Sequence, residues 1–267
     1  MNDTFNDTLI VTNNNSVYEI FNLKSKRYPN NLLKLKKCSF DTIKGLSKNN
    51  IHNGNSTEEQ LKKYLKKRVK DRKEQIIDLA LCNNWKYFVT LTFDSKNIEY
   101  FPNGYSHDRA IELLRKWIDN QKHKNNNMRY ILVSEFHKES GNLHFHGLFN
   151  NVSWTLKESV NPHNGKLITK NGCQIFNLCD YSLGFTTISE IKDSRKVSYY
   201  LSKYITKDLI SLKNKKVFWH SRNLDKPTLN YSYIDSSLET YISNKDCLFY
   251  KNYIKENSNI EIAEVRC

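Results

Sequence analysis

His144, Phe145 and His146 set two imidazoles one residue apart in a run, His144–Phe149, that reads as a β-strand. Residues i and i+2 of a strand share a face, so His144 and His146 project together while Phe145 enters the core behind them. Imidazoles at that separation can chelate one divalent cation. The preceding run, Arg129 to His137, is β-branched and aromatic and joins the histidine strand through Glu139-Ser140-Gly141-Asn142, the composition of a hairpin turn. If the register brings Glu135 near the histidines, a carboxylate and two imidazoles converge. That mixed oxygen and nitrogen set suits Mn²⁺ or Mg²⁺ better than a structural zinc. The plainer alternative for a His-x-His pattern is two ordinary surface or core histidines.

A second chemical patch falls between Lys196 and Asp208. Val197, Leu201, Ile205 and Leu209 recur every four residues as a core-facing helical stripe. Beside it Tyr200, Lys203, Tyr204 and Lys207 share another face, two phenols and two ammonium groups within one small area. A phenol titrates near pH 10, and an adjacent lysine or a metal-bound phosphate favours the phenolate that a nucleophile requires. The alternative is an amphipathic surface on which tyrosines pad the core edge and lysines are solvated. Tyr199, four residues before Lys203, competes with Tyr200 for the nucleophile's role.

In order along the chain, Phe88-Val-Thr-Leu-Thr-Phe93, His144-Phe-His146 and Tyr200-Leu-Ser-Lys-Tyr-Ile-Thr-Lys207 resemble the three motifs of HUH endonucleases of the rolling-circle replication initiator (Rep) type. Leu79 to Trp85 and Ser221 to Pro227 are similar to segments of replication proteins from low-GC Gram-positive bacteria and their phages. The resemblance covers residues 60 to 230, and its strength is the ordered set rather than any one motif.

It implies a ferredoxin-like or RRM-like α+β core with an antiparallel sheet and flanking helices. It implies a metal-dependent enzyme that nicks one DNA strand at an origin, leaving a 5′-phosphotyrosine and a free 3′-OH. In those roles Glu135, His144 and His146 hold Mn²⁺ or Mg²⁺, with His137 an alternative to Glu135 as third ligand. Tyr200 is the initiating nucleophile, Tyr204 the second, and Lys203 and Lys207 pair with phosphate or phenolate. The implied partner is single-stranded DNA at a replication origin. A separate host helicase is implied too, because no Gly-x-x-x-x-Gly-Lys-Ser/Thr phosphate loop occurs in the chain. A transposase or relaxase shares the chemistry, but a relaxase usually carries its tyrosine ahead of the histidines. The other alternative is a non-catalytic nucleic-acid-binding protein on an RRM-like sheet.

Composition agrees with a nucleic-acid partner: 267 residues carry a net charge of +14. AT-rich coding, which favours Lys and Asn over Ala, contributes to that charge, and only three alanines occur. The placement of charge says more. Lys62, Lys63, Lys66, Lys67, Arg68, Lys70, Arg72 and Lys73 put eight cations into thirteen residues, on a segment opened by a Ser56-x-x-Glu59 capping box and continued by Ile76, Ile77, Ala80 and Leu81. Its apolar end is expected to dock on the sheet and its basic half to lie along DNA backbone, with a solvated face as the alternative.

No apolar run approaches bilayer-spanning length and the N-terminus lacks a basic segment followed by an apolar stretch, so the expectation is a cytoplasmic protein with no membrane partner. The six cysteines form no Cys-x-x-Cys pair and read as reduced thiols. The expected organisation is a loosely ordered segment 1–56 with a short strand at Thr8–Thr12, a basic helix 57–84, a catalytic domain 85–212 and a C-terminal extension 213–267. Within the catalytic domain the pattern predicts a strand at 86–93, a helix at 107–123 opening at Ser106, the hairpin 129–149, a strand near 184–190 and the tyrosine helix at 194–210. In the long connection, Lys166–Lys170 is a candidate for a small DNA-contacting hairpin. In the extension Val217, Phe218, Trp219, Tyr231, Tyr233, Tyr241 and Tyr250, interleaved with basic residues, suit either base stacking or core packing.

Overall fold

A computed structural model of the chain describes residues 11–13, 16–18, 21–29, 31–38, 58–137, 139–170, 172–205, 216, 218–234, 236–255 and 258–266. In chain order its first elements are strands β1 (Val11–Asn13), β2 (Ser16–Tyr18), β3 (Phe21–Arg27) and β4 (Leu32–Cys38), then helix α1 (Glu58–Leu81), β5 (Tyr87–Leu91) and helix α2 (His107–Lys124). There follow β6 (Arg129–Phe136), β7 (Leu143–Asn150), β8 (Leu156–Glu158), β9 (Thr169–Lys170), β10 (Cys173–Gln174), β11 (Phe176–Leu178), β12 (Thr186–Glu190) and helix α3 (Ser194–Ser202). The last are β13 (Phe218–His220), β14 (Thr228–Ile234), helix α4 (Leu238–Ile242), β15 (Asp246–Lys255) and β16 (Ser258–Arg266). The fold is α+β, with antiparallel sheets and a few flanking helices.

The chain divides into two compact units, Thr57–Asp225 and Met1–Ser56 with Lys226–Cys267. The first holds a seven-stranded sheet in the order β13-β6-β7-β5-β12-β11-β8. β5 and β6 both pair antiparallel with β7, so they run parallel to each other and α2 crosses between them, a split β-α-β arrangement. Alternation along the strands gives the sheet two buried faces. Val89, Leu91, Leu132, Phe145 and Phe149 face α2 through Ala110, Leu114, Trp117 and Ile118. Ile131, Val133 and Leu148 face the other way, onto Ile76, Leu79 and Ala80 of α1 and Leu201 of α3.

Local signals account for the boundaries. Ser106 caps α2, its side chain accepting the Arg109 N–H, and Asp193 caps α3 in the same way from Lys196. Gly141 takes φ 69° in the β6–β7 turn, a left-handed conformation that suits glycine. Glycine is required at 147 for space: a Cβ there would lie 2.5 Å from Leu132 Cδ2 and 2.7 Å from the Ile131 carbonyl oxygen.

The chain around Asn83 and the chain around Asp225 meet although they are far apart in sequence. The Asn83 side chain donates to the carbonyl oxygens of Leu79 (2.8 Å) and Asp225 (3.0 Å) and accepts from Arg129 (3.0 Å), which also reaches Asp225 Oδ2 at 3.0 Å. Asn83 thereby ties the end of α1 to the chain after β13.

The second unit contains a five-stranded antiparallel sheet, β14-β3-β4-β16-β15. Leu23, Leu33, Leu35, Ala263 and Val265 form its core with Leu238 and Ile242 of α4. Phe21–Arg27 and Leu32–Cys38, within the segment read from sequence as loosely ordered, are thus central strands paired with partners more than 190 residues away. The strand expected at Thr8–Thr12 and the capping box at Ser56 fall largely outside the described residues; Val11 and Thr12 belong to β1. Of the C-terminal aromatics, Phe218 and Trp219 are core residues, Tyr231 and Tyr241 are exposed, and the Tyr250 hydroxyl donates to Glu261 at 3.0 Å.

Candidate functional site

The site is built on one face of β7 and its two neighbours. Glu135 stands opposite His144 on β6, while His146 lies between Val133 on β6 and Thr90 on β5. All four polar residues therefore share a face, and Phe145 points to the opposite core as the alternation requires. Glu135 Oε2 and His146 Nε2 are 2.8 Å apart. The other ring nitrogen of His146, Nδ1, is 3.0 Å from Thr90 Oγ1. A hydroxyl both donates and accepts, so Thr90 satisfies Nδ1 in either imidazole tautomer and leaves Nε2 free to bear a proton toward Glu135 or a lone pair toward a cation.

Burial, with His144 and Lys170 adding to it, depresses the His146 pKa to about 3, so the ring is neutral at physiological pH. Burial and the neighbouring His137 also lower His144, against the opposing pull of Glu135. His144 is turned toward His137, ring centroids 4.8 Å apart. His137 itself accepts from the Ser140 N–H within the turn, so Glu135 rather than His137 reaches His146. Among the described residues no three His, Cys, Asp or Glu side chains converge as a metal-binding group. Glu135 and His146 meet, and His144 flanks them from the same strand face. The donor chemistry, one hard carboxylate and neutral imidazoles, fits a divalent cation.

The tyrosines approach from above this face. Helix α3 packs its buried Leu201 into the core shared with α1. The helix ends at Ser202 with Lys203 as its cap, so Tyr204 sits in the turn beyond it; residues 206 to 210 of the expected helix lie outside the described residues. That turn brings Tyr204 down onto the histidine: the rings stack at 3.7 Å between centroids, 12° from parallel. The Tyr204 hydroxyl donates to the Tyr200 hydroxyl at 2.9 Å. Burial, and behind it that hydrogen bond, raise the Tyr204 pKa well above the ordinary phenol value. Tyr200 is the more exposed of the two, packs edge-on against Phe88, and has the Lys203 ammonium 5.3 Å from its ring centre. Tyr199 lies under the Arg195 guanidinium instead.

Glu135, His146, Tyr200, Tyr204 and Lys203 thus come together, His144 lies at the margin, and Lys207 is outside the described residues. Sequence reasoning missed three neighbours. Thr90 and Phe88 lie in the first motif, and their two-residue spacing on a strand paired with His146 and Leu148 was the available signal. Lys170 comes from β9, where the pattern alone marked only a small hairpin.

The eight cations of the basic segment all lie on α1. Lys62 and Lys63 pair with Glu58 and Glu59 one turn back, Arg72 donates to Gln75, and Arg68 rests on the Tyr64 ring. Lys66, Lys67 and Lys70 are exposed and Lys73 is half-buried. Ile76, Leu79 and Ala80 anchor the far end of the helix in the core.

The fold and this site define an α+β protein whose antiparallel sheet sets a carboxylate–imidazole pair beneath two hydrogen-bonded phenols. Residues 86–209, which include every residue of that site, match the family described as Replication-associated protein ORF2. The match fits a rolling-circle replication initiator and ties this part of the chain to DNA replication. No curated protein and no solved structure matches the chain. No helix among the described residues is long and apolar enough to cross a membrane.

Proposed function

We propose that this protein is an HUH-type replication initiator that nicks one DNA strand at its origin and later rejoins it. The observation that carries the reading is the Tyr204 ring, stacked on His146 while its hydroxyl donates to Tyr200, which assembles both phenols beside Glu135.

Tyr200 is the initiating nucleophile. Its oxygen accepts the Tyr204 hydrogen bond, which stabilises developing phenolate charge, and the Lys203 ammonium adds to that stabilisation. The Tyr200 oxygen attacks phosphorus, the phosphorus–O3′ bond breaks, and the phenol's proton ends on the departing 3′-oxygen. The products are a 5′-phosphotyrosine and a free 3′-OH, so the phosphodiester energy is retained for rejoining. Tyr204, held protonated as donor, serves as the second nucleophile once Tyr200 is occupied. Glu135, His146 and His144 would hold a divalent cation, Mn²⁺ or Mg²⁺, which supplies Lewis-acid polarisation of a non-bridging phosphate oxygen. Thr90 orients the His146 ring for that task, and Lys207 contributes a further phosphate contact.

The basic face of α1, from Lys62 to Lys73, lies along the DNA backbone, and the substrate is single-stranded DNA at the origin. Unwinding falls to a separate helicase of the bacterial host, in whose cytoplasm the protein works. The catalytic segment is 85–212. The test is incubation of the full chain with labelled single-stranded oligonucleotides from its own replicon, with Mn²⁺ or EDTA, on a denaturing gel. An SDS-resistant, metal-dependent shifted band that His146→Ala weakens is expected. Binding without any covalent band would favour the non-catalytic reading.

A further inference from the structure

On the face of the sheet opposite the histidines, a cavity of about 580 Å³ opens between α2 and the β6–β13 edge. Its floor is apolar, with Tyr130 and Trp219 buried alongside Leu114 and Ile118 of α2. Its rim is cationic: Arg115, Lys122, Lys216 and Arg222 line it with one acid, Asp119, which Lys122 already pairs at 2.9 Å. Other cations of α2 are matched, since Arg109 and Lys116 both pair with Glu112. Among the described residues no carboxylate pairs with Arg115, Lys216 or Arg222. Burial, and after it the proximity of Arg115 and Lys122, push the Lys216 pKa down. Trp219 adds an indole Nε1 that is buried with no hydrogen-bond partner among the described residues. Like charges gathered around a concave aromatic floor destabilise the fold, and a bound anion offsets that cost.

We infer that this cavity is a second binding site, distinct from the nicking site, for a nucleotide unit whose phosphate meets the cationic rim and whose base lies against the apolar floor, where Tyr130, stacked on Phe149 and lying under Lys122, and Trp219 are only 5% and 7% exposed. The volume is that of a small-molecule pocket, and the division into apolar floor and positive rim is the chemistry of a base joined to a phosphate. The nucleotide belongs either to a DNA strand or to a free mononucleotide, and the two are separable. The inference takes from the proposed function only its choice of DNA as the polymer.

The test is fluorescence anisotropy of the full chain with a labelled oligothymidylate. Arg115→Glu combined with Lys216→Glu is expected to weaken binding about tenfold or more. It should also flatten the dependence of log K on log salt by about 1.4, two contacts at about 0.7 each for single strands. The control, Lys96→Glu with Lys157→Glu, removes equal charge from exposed positions elsewhere and should change binding less than twofold. Circular dichroism melting verifies that both variants fold. If millimolar thymidine monophosphate displaces the oligonucleotide from the wild type, the site takes free nucleotides; if it does not, the site takes a strand. Unchanged binding of both ligands in a folded Arg115/Lys216 variant, or an equal loss in the control, overturns the inference. Covalent-band formation in the same samples is scored separately. A wild type that forms no band while the pocket variant loses binding refutes the nicking reading and leaves this one standing.

Discussion

The two faces of β7 do opposite work. Phe145 and Phe149, both fully buried, point into a core closed by α2, where aromatic rings meet at 4.9 to 6.3 Å. His144 and His146, one residue out of phase, point to the face covered by α1 and α3, where the same strand presents a carboxylate contact and a tyrosine stack. The back face packs the strand into a buried core, and the front face keeps polar groups at the edge of a core that depresses the His146 pKa without sealing Tyr200 from solvent. One period-two strand thereby separates stability from chemistry.

That separation is open to breaking. The largest expected effect is on the front face: Tyr200→Phe with Tyr204→Phe should abolish the covalent band, a loss on the order of 10³-fold or more, while thermal melting stays near wild type. On the back face the reverse is expected. Phe149→Ala should cost about 3 to 5 kcal/mol in urea unfolding, and the fraction still folded should nick normally. Gly147→Ala adds a methyl on the back face but next to His146 in the chain: with Leu132 and Ile131 already in the way, it should lose about 1 to 3 kcal/mol and also disturb His146, so band intensity and stability fall together. Thr90→Val keeps shape but removes the hydroxyl from His146 Nδ1, and Mn²⁺ affinity by titration calorimetry should drop about 10- to 100-fold with little change in melting.

A pH series sharpens the same contrast. Because His146 has a folded pKa depressed to about 3, the unfolded chain takes up a proton before the folded one does. Its contribution to stability is intact above about pH 6.5 and is lost as pH falls from there toward 3, by at most about 1.4 kcal/mol per unit. His146→Gln should flatten that part of the profile, as measured by urea midpoints at pH 7, 5 and 4.

What the sequence revealed follows from how local each signal was. The cap at Ser106, the turn at Gly141 and the alternation across His144–His146 depend on neighbours a few residues apart, and α2, the hairpin and the shared histidine face were readable from them. The helix end at Ser202 was not, since the stripe through Ile205 continues the helical period while the chain turns after Lys203 to lay Tyr204 on His146. Thr90 and Lys170 reach the site only through strand pairing and a hairpin in the long connection. Strands β3 and β4 were missed because their partners lie at the other end of the chain and their lysine-rich composition hides the alternation.

The most direct measurement of the central claim is peptide mass spectrometry of the covalent product formed with an origin oligonucleotide and Mn²⁺. The account predicts a nucleotide remnant on Tyr200, moving to Tyr204 when Tyr200 is replaced by phenylalanine. A remnant on Tyr199 or on any residue away from the His146 face, or no covalent product with any origin segment, would contradict it.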